Sequence, residues 1–341
     1  MEKKKMVLGA SILFLLIVLI NIGAGFIDFS RVPLFATILI SQGLIIIPVL
    51  VYVLVTRQNL FQLIRLRKMN IWSLLLVIPL TYLLQPLLIS INAISMSFST
   101  NILAGTMGGI MDELPYIAFL SLMAILPALV EEITFRGVLL NSFHRDSNPW
   151  PGIIFSAICF GAMHMNLNQI TYALILGLLM GIILEATGSI LSTMVVHFVF
   201  NGTSTTLVYM LPKFVKWYLE LLEESGMTLE QVGLTQQDMD QLMNVGDAAS
   251  TAAASPEQML MTGLIMLIPS LVGLALAGLL LYYIAYLNKR HLILKGMFTK
   301  KTPAQKEAMA ADKVPVMNVC LGIGIGICIA YAILTEVLIR V

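Results

Sequence analysis

Charged side chains are scarce in this sequence: Asp, Glu, Lys and Arg make up 11% of its 341 residues. A typical soluble domain carries about 25%, so the composition excludes an ordinary soluble fold, and a mean hydropathy of +0.91 agrees. Cysteine is also rare, and Cys159, Cys320 and Cys328 all lie in apolar segments without metal-ligand spacing. We interpret them as packing residues rather than a disulfide framework. The net charge of +1 does not point to nucleic acid, and we expect no nucleic-acid partner.

Long apolar runs are abundant instead. A run of about 20 apolar residues is long enough to cross the hydrocarbon core of a bilayer, and such runs recur along the whole chain. They predict an all-α, polytopic bundle of about eight or nine membrane helices, surrounded by the lipid bilayer. The runs lie near 6–27, 33–55, 71–95, 115–140, 150–166, 169–186, 189–212, 258–287 and 314–339.

Lysine and arginine are distributed unevenly among the connecting segments. If the N-terminus is cytoplasmic, most of them fall in segments on the cytoplasmic side, as the positive-inside rule requires. We therefore predict a multi-pass protein of the cell membrane with a cytoplasmic N-terminus. A weaker amphipathic stretch near 57–70 predicts a helix on the membrane surface.

Composition divides the chain into four parts. Residues 213–256 are rich in acidic residues and end in a low-complexity run, whereas residues 288–313 are basic. Two G-x-x-x-G spacings, Gly177/Gly181 and Gly322/Gly326, predict close helix packing. The predicted parts are N-terminal membrane helices (1–110), a polar-residue-bearing core (111–212), an acidic extracytoplasmic lobe with a linker (213–256), and C-terminal membrane helices with a basic cytoplasmic loop (257–341).

Three charged residues lie inside the run near 115–140, where charge is costly and usually functional. Glu132 and Arg136 are four residues apart with the acid first, the order that favours an ion pair on one helix face. Glu131 is rotated by about 100° from Glu132 and has no partner on its own helix. A carboxylate of this kind is suited to act as a general base for water. The alternative is that both glutamates only balance the positive charge of Arg136 and cap the end of a helix.

Two histidines lie in the apolar runs that follow. His164 comes four residues after Phe160, and His197 comes four residues before Asn201, so each pair shares one helix face. A single histidine in a membrane run is as often a packing residue as a functional one. Two histidines, an asparagine and an acid pair on three nearby helices instead indicate a hydrolytic site. Counting at 1.5 Å per residue puts Glu131 and His197 at similar depths, toward the cytoplasmic side.

Taken together, these residues resemble the motifs of the CAAX-protease and bacteriocin-processing family of intramembrane glutamic endopeptidases. Three motifs carry the resemblance, in the family's order and within residues 115–205. They are Glu131-Glu132-x-x-x-Arg136, Phe160-x-x-x-His164 and His197-x-x-x-Asn201.

The resemblance implies an endopeptidase that works within the membrane and opens toward the cytoplasm. Carried over position by position, it makes Glu131 and His164 the pair that activates water. It makes His197 and Asn201 an oxyanion hole that donates to the charge developing on the scissile carbonyl. The implied substrate is a membrane-associated peptide or protein tail, such as a lipidated tail or a bacteriocin or pheromone precursor. The residues implied to support the site are Glu132, Arg136 and Phe160.

No cofactor is predicted, because a glutamate base with polar donors accounts for every motif residue. The alternative is a catalytic zinc ion held by Glu131, His164 and His197 with one open position, although the sequence has no His-Glu-x-x-His. Two other functions compete with the protease. A transporter with a buried proton or ion pathway predicts discontinuous helices in repeated halves, and we find no such repeat. A non-proteolytic immunity or assembly protein of the same fold should have lost motif residues.

Overall fold

The fold is built from helices. The computed structural model describes residues 3–100, 114–243, 255–312 and 314–340. Of the residues in these four ranges, 82% are helical, and no β-strand occurs among them. The helices are α1 (Lys3–Ala24), α2 (Leu34–Thr56), α3 (Leu60–Leu63), α4 (Ile71–Met96), α5 (Tyr116–Phe143), α6 (Trp150–Met163), α7 (Leu167–Thr187), α8 (Ile190–Ser225), α9 (Gln236–Met243), α10 (Pro256–Leu287), α11 (His291–Phe298), α12 (Pro303–Ala311) and α13 (Val319–Arg340), with a 3-10 turn at Glu230–Val232.

Eight of the described helices are long and apolar enough to cross a membrane, namely α1, α2, α4, α5, α7, α8, α10 and α13. A ninth apolar helix, α6, has 14 residues. At 1.5 Å per residue it is about 21 Å long, shorter than the hydrocarbon core. All nine apolar runs are therefore helical, and the predicted all-α polytopic bundle is confirmed. The side of the membrane on which the N-terminus lies stays a prediction.

The segment 57–70 differs from its prediction as an amphipathic surface helix. Only one turn, α3, is helical, and Arg65 follows it with a left-handed backbone (φ 53°). The backbone carbonyls of Arg65 and Arg67 accept hydrogen bonds from Ile190 N and Ser189 Oγ at the start of α8. The prediction of a helix over the whole segment was wrong because these distant partners fix the chain in another conformation.

Helix α8 is longer than its apolar run. It continues from the predicted end near 212 to Ser225, so the first part of the acidic segment extends a membrane helix. Helix α9 follows, while residues 244–254 lie outside the described residues. The basic segment 288–313 contains α11 and α12. The extracytoplasmic location of the acidic segment and the cytoplasmic location of the basic one stay predictions.

Helices α6 and α7 pack closely at the first G-x-x-x-G pair. A Cβ atom on Gly177 would lie 3.0 Å from Ala157 Cα, and one on Gly181 would lie 2.8 Å from Ile153 Cγ2. The predicted close packing is therefore present at this pair. The second pair behaves differently, since nothing lies within 4 Å of a Cβ on Gly326.

A buried carboxylate ties four segments together at the end of α7. Glu185, whose side chain is 3% exposed, pairs with Arg65 Nη1 at 2.6 Å. Arg290 Nη2 lies 3.2 Å and His144 Nδ1 lies 3.4 Å from the same carboxylate. These partners come from the 57–70 segment, the α10–α11 turn and the α5–α6 turn. Such partners offset the hydration that a buried charge loses, so the cluster holds the loops around the bundle in place.

We expect this cluster to make the protein less stable in acid. Burial lowers the pKa of His144 below its ordinary value of 6.5; Glu185 opposes this effect and Arg65 reinforces it. The unfolded chain then binds a proton more readily than the folded chain, so stability falls as the pH drops from about 6.5 toward the lowered pKa. The thermal unfolding midpoint of the wild type should decrease between about pH 7.5 and about pH 5, and that of His144→Gln should decrease less. Equal decreases would contradict this role for His144.

Candidate active site

Helix α5 carries the two glutamates at a change in its backbone. It is α-helical over Leu126–Glu131 and becomes a π-helix over Glu132–Leu139. A second π segment covers Ser121–Ile125. Such segments inside α-helices are frequent at functional sites. Here the junction falls between Glu131 and Glu132, and the two carboxylates face different atoms of His197.

Glu132 is the buried acid of the two. Its Oε1 accepts a hydrogen bond from Arg136 Nη1 at 3.0 Å, and neither side chain has exposed surface. The same oxygen lies 2.9 Å from His197 Nδ1. The predicted Glu132–Arg136 ion pair is thus present. It also fixes a histidine of α8, which the helical spacing did not predict.

Phe160 lies at the centre of the site. Arg136 Cζ lies 4.0 Å from the centroid of its ring, a cation–π contact that stabilises a desolvated guanidinium. The rings of His164 and His197 approach the same ring edge-on, with centroids 5.0 and 5.9 Å away. Gly177 of α7 leaves room for the guanidinium, since a Cβ there would lie 3.2 Å from Arg136 Nη2. Phe160 therefore packs against the cation and both histidines.

Glu131 has a more open environment. Its side chain is 15% exposed, and its Oε2 lies 3.8 Å from His197 Nε2. Its Oε1 accepts a long hydrogen bond of 3.5 Å from Gln42 Nε2 on α2. Of the two carboxylates, this is the one that a water molecule or a substrate can reach.

His164 follows the last residue of α6. Its Nδ1 lies 2.8 Å from the carbonyl oxygen of Phe160, and it must donate the hydrogen bond because a carbonyl can only accept. In the neutral ring, Nε2 is then able to accept a proton or a hydrogen bond. In the described part of the chain, no hydrogen bond or ion pair joins His164 to Glu131 directly.

The spacing of His197 and Asn201 suggests that their side chains point at one spot, but in the structure they have separate partners. Asn201 Nδ2 lies 3.5 Å from the carbonyl oxygen of Met123, in the first π segment of α5. His197 Nδ1 donates to Glu132, because an ionised carboxylate can only accept. The histidine therefore presents its Nε2 toward Glu131.

The segment that contains these residues matches a known family. Residues 113–203 match the family model described as type II CAAX prenyl endopeptidase Rce1-like. The chain carries an Rce1-like domain. No curated protein and no solved structure matches the chain. The Rce1-like domain and the apolar helices together support a CAAX-type intramembrane protease in a multi-pass membrane protein.

Gln42 lies outside the Rce1-like domain and was missed by the sequence analysis. It is 89 residues from Glu131 in the chain and reaches the site from α2. An amide inside the apolar run near 33–55 is the signal that could have found it, because polar side chains in membrane helices usually have a partner. Its own Oε1 is buried without a hydrogen-bond partner among the described residues. The amide therefore acts on Glu131 through its nitrogen.

Replacing Gln42 by leucine should lower the cleavage rate by about tenfold. A hydrogen bond to a charged group is worth about 1.5–3 kcal/mol, and the 3.5 Å distance places this bond at the weak end. Ser41→Ala is the control. The Ser41 hydroxyl donates to Ile38 O of its own helix, with no other bond among the described residues, and its loss should leave the rate unchanged. Initial rates and thermal midpoints of both variants check this. A rate for Gln42→Leu equal to the wild type would show that α2 does not position Glu131.

A metal ion does not fit the residues of the Rce1-like domain as they are arranged. Across the described ranges, no group of three His, Cys, Asp or Glu side chains could hold a metal ion. This includes Glu131, His164 and His197, the set that a zinc site would use. We therefore derive no step through a metal.

Proposed function

We propose that the protein is an intramembrane endopeptidase that hydrolyses peptide bonds of membrane-associated peptides or protein tails. One observation supports the proposal: the two adjacent glutamates have different surroundings. Glu132 is occupied by Arg136 and His197, whereas Glu131 stays accessible beside His197 Nε2. An accessible carboxylate in apolar surroundings is suited to remove a proton from water.

In this mechanism, a water molecule lies between Glu131 and His164. Glu131 removes one proton as the water oxygen attacks the scissile carbonyl carbon, while His164 Nε2 accepts a hydrogen bond from the same water. When the C–N bond breaks, the proton on Glu131 passes to the leaving nitrogen. The carboxylate is regenerated, and the products are a carboxylic acid and an amine.

The negative charge on the tetrahedral intermediate requires donors. The Nδ1 proton of His197 is committed to Glu132, so this histidine can donate to the oxyanion only with a second proton, on Nε2. Asn201 Nδ2 can join it after leaving the Met123 carbonyl, to which it is bound over 3.5 Å.

The name of the matching family suggests which substrates to test first. A prenylated C-terminal tail is the class that this name suggests. A bacteriocin or pheromone precursor, which the resemblance of the sequence motifs implies, is the second class to test. We place the site toward the cytoplasmic side of the cell membrane, a proposal that rests on the distribution of lysine and arginine.

The test uses purified protein in proteoliposomes. Peptides with a C-terminal CAAX tail, with and without a prenyl group, and a membrane-bound precursor peptide are incubated with it, and products are identified by mass spectrometry. We expect cleavage of at least one class at a single peptide bond. Proton or ion movement across the liposomes with every peptide left intact would instead favour the transporter.

Cleavage should continue when divalent metal ions are removed. The proposed base is a carboxylate, and the residues do not form a metal site, so a chelator should leave the initial rate unchanged. The rate is measured before and after dialysis against the chelator, and again after zinc is added. Activity that disappears in chelator and returns with zinc would contradict the mechanism.

A further inference from the structure

An apolar cavity of about 430 Å³ lies between α4, α7, α10 and α11. Cavities of this size are typical of small-ligand sites. None of the seven motif residues of the active site lines it. Its wall is made of aliphatic side chains such as Leu84 of α4, Leu179 of α7 and Leu274 of α10, whereas Lys295 and Thr299 lie at the end formed by α11.

The cavity exists because α10 contacts α4 closely at one level and not at the next. A Cβ on Gly273 would collide with the backbone carbonyl of Leu83, so the two helices touch there. Gly278 is five residues later on α10, lines the cavity, and has nothing within 4 Å of a Cβ position. A larger side chain at Gly278 would therefore enter the cavity without moving the backbone.

The depth of the cavity fits a hydrocarbon chain. Leu274 is 13 residues before the end of α10 at Leu287, about 20 Å along the helix axis, more than half the hydrocarbon thickness of a bilayer. The wall offers hardly any polar atoms: besides Lys295 and Thr299, only Tyr282 has a polar side chain. A polar ligand would lose its hydrogen bonds to water there without replacement, so an acyl chain is the matching occupant.

The end formed by α11 is cationic. Lys295 is exposed, and within the described ranges it has no hydrogen bond or ion pair. Among its basic neighbours, Arg290 pairs with Glu185 and Lys301 donates to the carbonyl of Gly296, whereas Lys300 is exposed but does not line the cavity. Lys295 therefore places an unpaired ammonium where the apolar cavity reaches the polar surface. This charge complements an anionic headgroup.

We propose that the cavity is a binding site for one anionic glycerophospholipid. An acyl chain lies among α4, α7 and α10, and the phosphate of the headgroup contacts Lys295 and the Thr299 hydroxyl. The site is separate from Glu131 and does not depend on the proposed peptidase activity.

The test is photo-crosslinking in phosphatidylcholine nanodiscs. A phosphatidylglycerol with a photoreactive group on its acyl chain is compared with the matching phosphatidylcholine, and labelled peptides are identified by mass spectrometry. We expect labels on the cavity-lining residues of α4, α7 and α10, with phosphatidylglycerol favoured by about fivefold, the effect of one basic residue near an anionic lipid. Lys295→Gln, at an exposed position, should remove this preference, and Gly278→Leu should reduce labelling by both lipids.

Matched controls lie at positions that do not line the cavity. Lys300→Gln removes another exposed lysine of the same loop, and Gly326→Leu adds the same bulk to an exposed glycine of α13. Both should label like the wild type. Equal labelling by the two headgroups in the wild type, or full labelling of Gly278→Leu, would overturn the proposal. A competition experiment compares a prenylated peptide with unlabelled phosphatidylglycerol as competitors of the probe. If the prenylated peptide displaces the probe at the lower concentration, the prenyl group is the preferred occupant and the proposal is overturned.

Discussion

Peptide cleavage should fall by about 10²–10⁴-fold when Glu131 is replaced by glutamine. Glutamine has almost the same shape and can still bond to Gln42, but it cannot take a proton from water. Because the side chain is partly exposed, its neutral replacement should leave the thermal unfolding midpoint close to that of the wild type. The cleavage rate in proteoliposomes and the unfolding midpoint are measured together.

Glu220→Gln is the matched control for this experiment. Glu220 is an exposed glutamate on the distal part of α8, so its replacement should leave the cleavage rate unchanged. His164→Ala should also lose cleavage while remaining folded. If purified Glu131→Gln cleaves at the wild-type rate, Glu131 is not the base. If it loses folding together with cleavage, Glu131 has the supporting role that we assign to Glu132.

Replacing Glu132 by leucine should destabilise the folded protein by about 3–5 kcal/mol, the usual effect of leaving a buried charge without its partner. Arg136 has no exposed surface, and two of its nitrogens already lack hydrogen-bond partners among the described residues. Its guanidinium would keep the cation–π contact with Phe160 but would lose its hydrogen-bonded carboxylate. Unfolding in mixed micelles measures the change. Arg340→Met is the control, since Arg340 forms an i,i+4 pair with Glu336 but is 55% exposed and should cost about 1 kcal/mol or less.

The double variant Glu132→Leu/Arg136→Met separates stability from catalysis. Replacing both members of a buried ion pair by apolar side chains of similar size is often neutral, so most of the lost stability should return. Cleavage should stay low, because His197 Nδ1 no longer has the carboxylate that orients it. Recovery of both stability and cleavage would show that Glu132 only balances Arg136.

Local spacing was sufficient for some contacts whose partners lie close together in the chain. The Glu132–Arg136 pair was predicted from a separation of four residues, and the structure has it at 3.0 Å. Close packing at Gly177 and Gly181 was predicted from the same kind of spacing. Membrane helices were predictable because a backbone in hydrocarbon must satisfy its hydrogen bonds internally. The π segments of α5 were not predicted. They change the hydrogen-bond spacing of the helix to i→i+5 without changing its apolar composition.

Distant contacts decided the rest of the active site. Gln42 reaches Glu131 from 89 residues away, and no motif contains it. The spacing of His197 and Asn201 predicted a shared helix face, and the family resemblance implied an oxyanion donor, but neither predicted that the fold turns Nδ1 of His197 toward Glu132. Which atom of a side chain faces the reaction depends on how α5 and α8 pack, and spacing within one helix does not contain this information.

By itself, therefore, the sequence determined the class of the protein and its membrane helices, and it predicted which residues form the active site. Apolar run length and side-chain periodicity act along one helix, so both can be read from consecutive residues. Only the tertiary structure decided that Gln42 contacts Glu131 from α2, that the segment 57–70 is held by the start of α8, and that a cavity forms beside Gly278. These features depend on the distances between helices, which are set by the packing of side chains far apart in the chain.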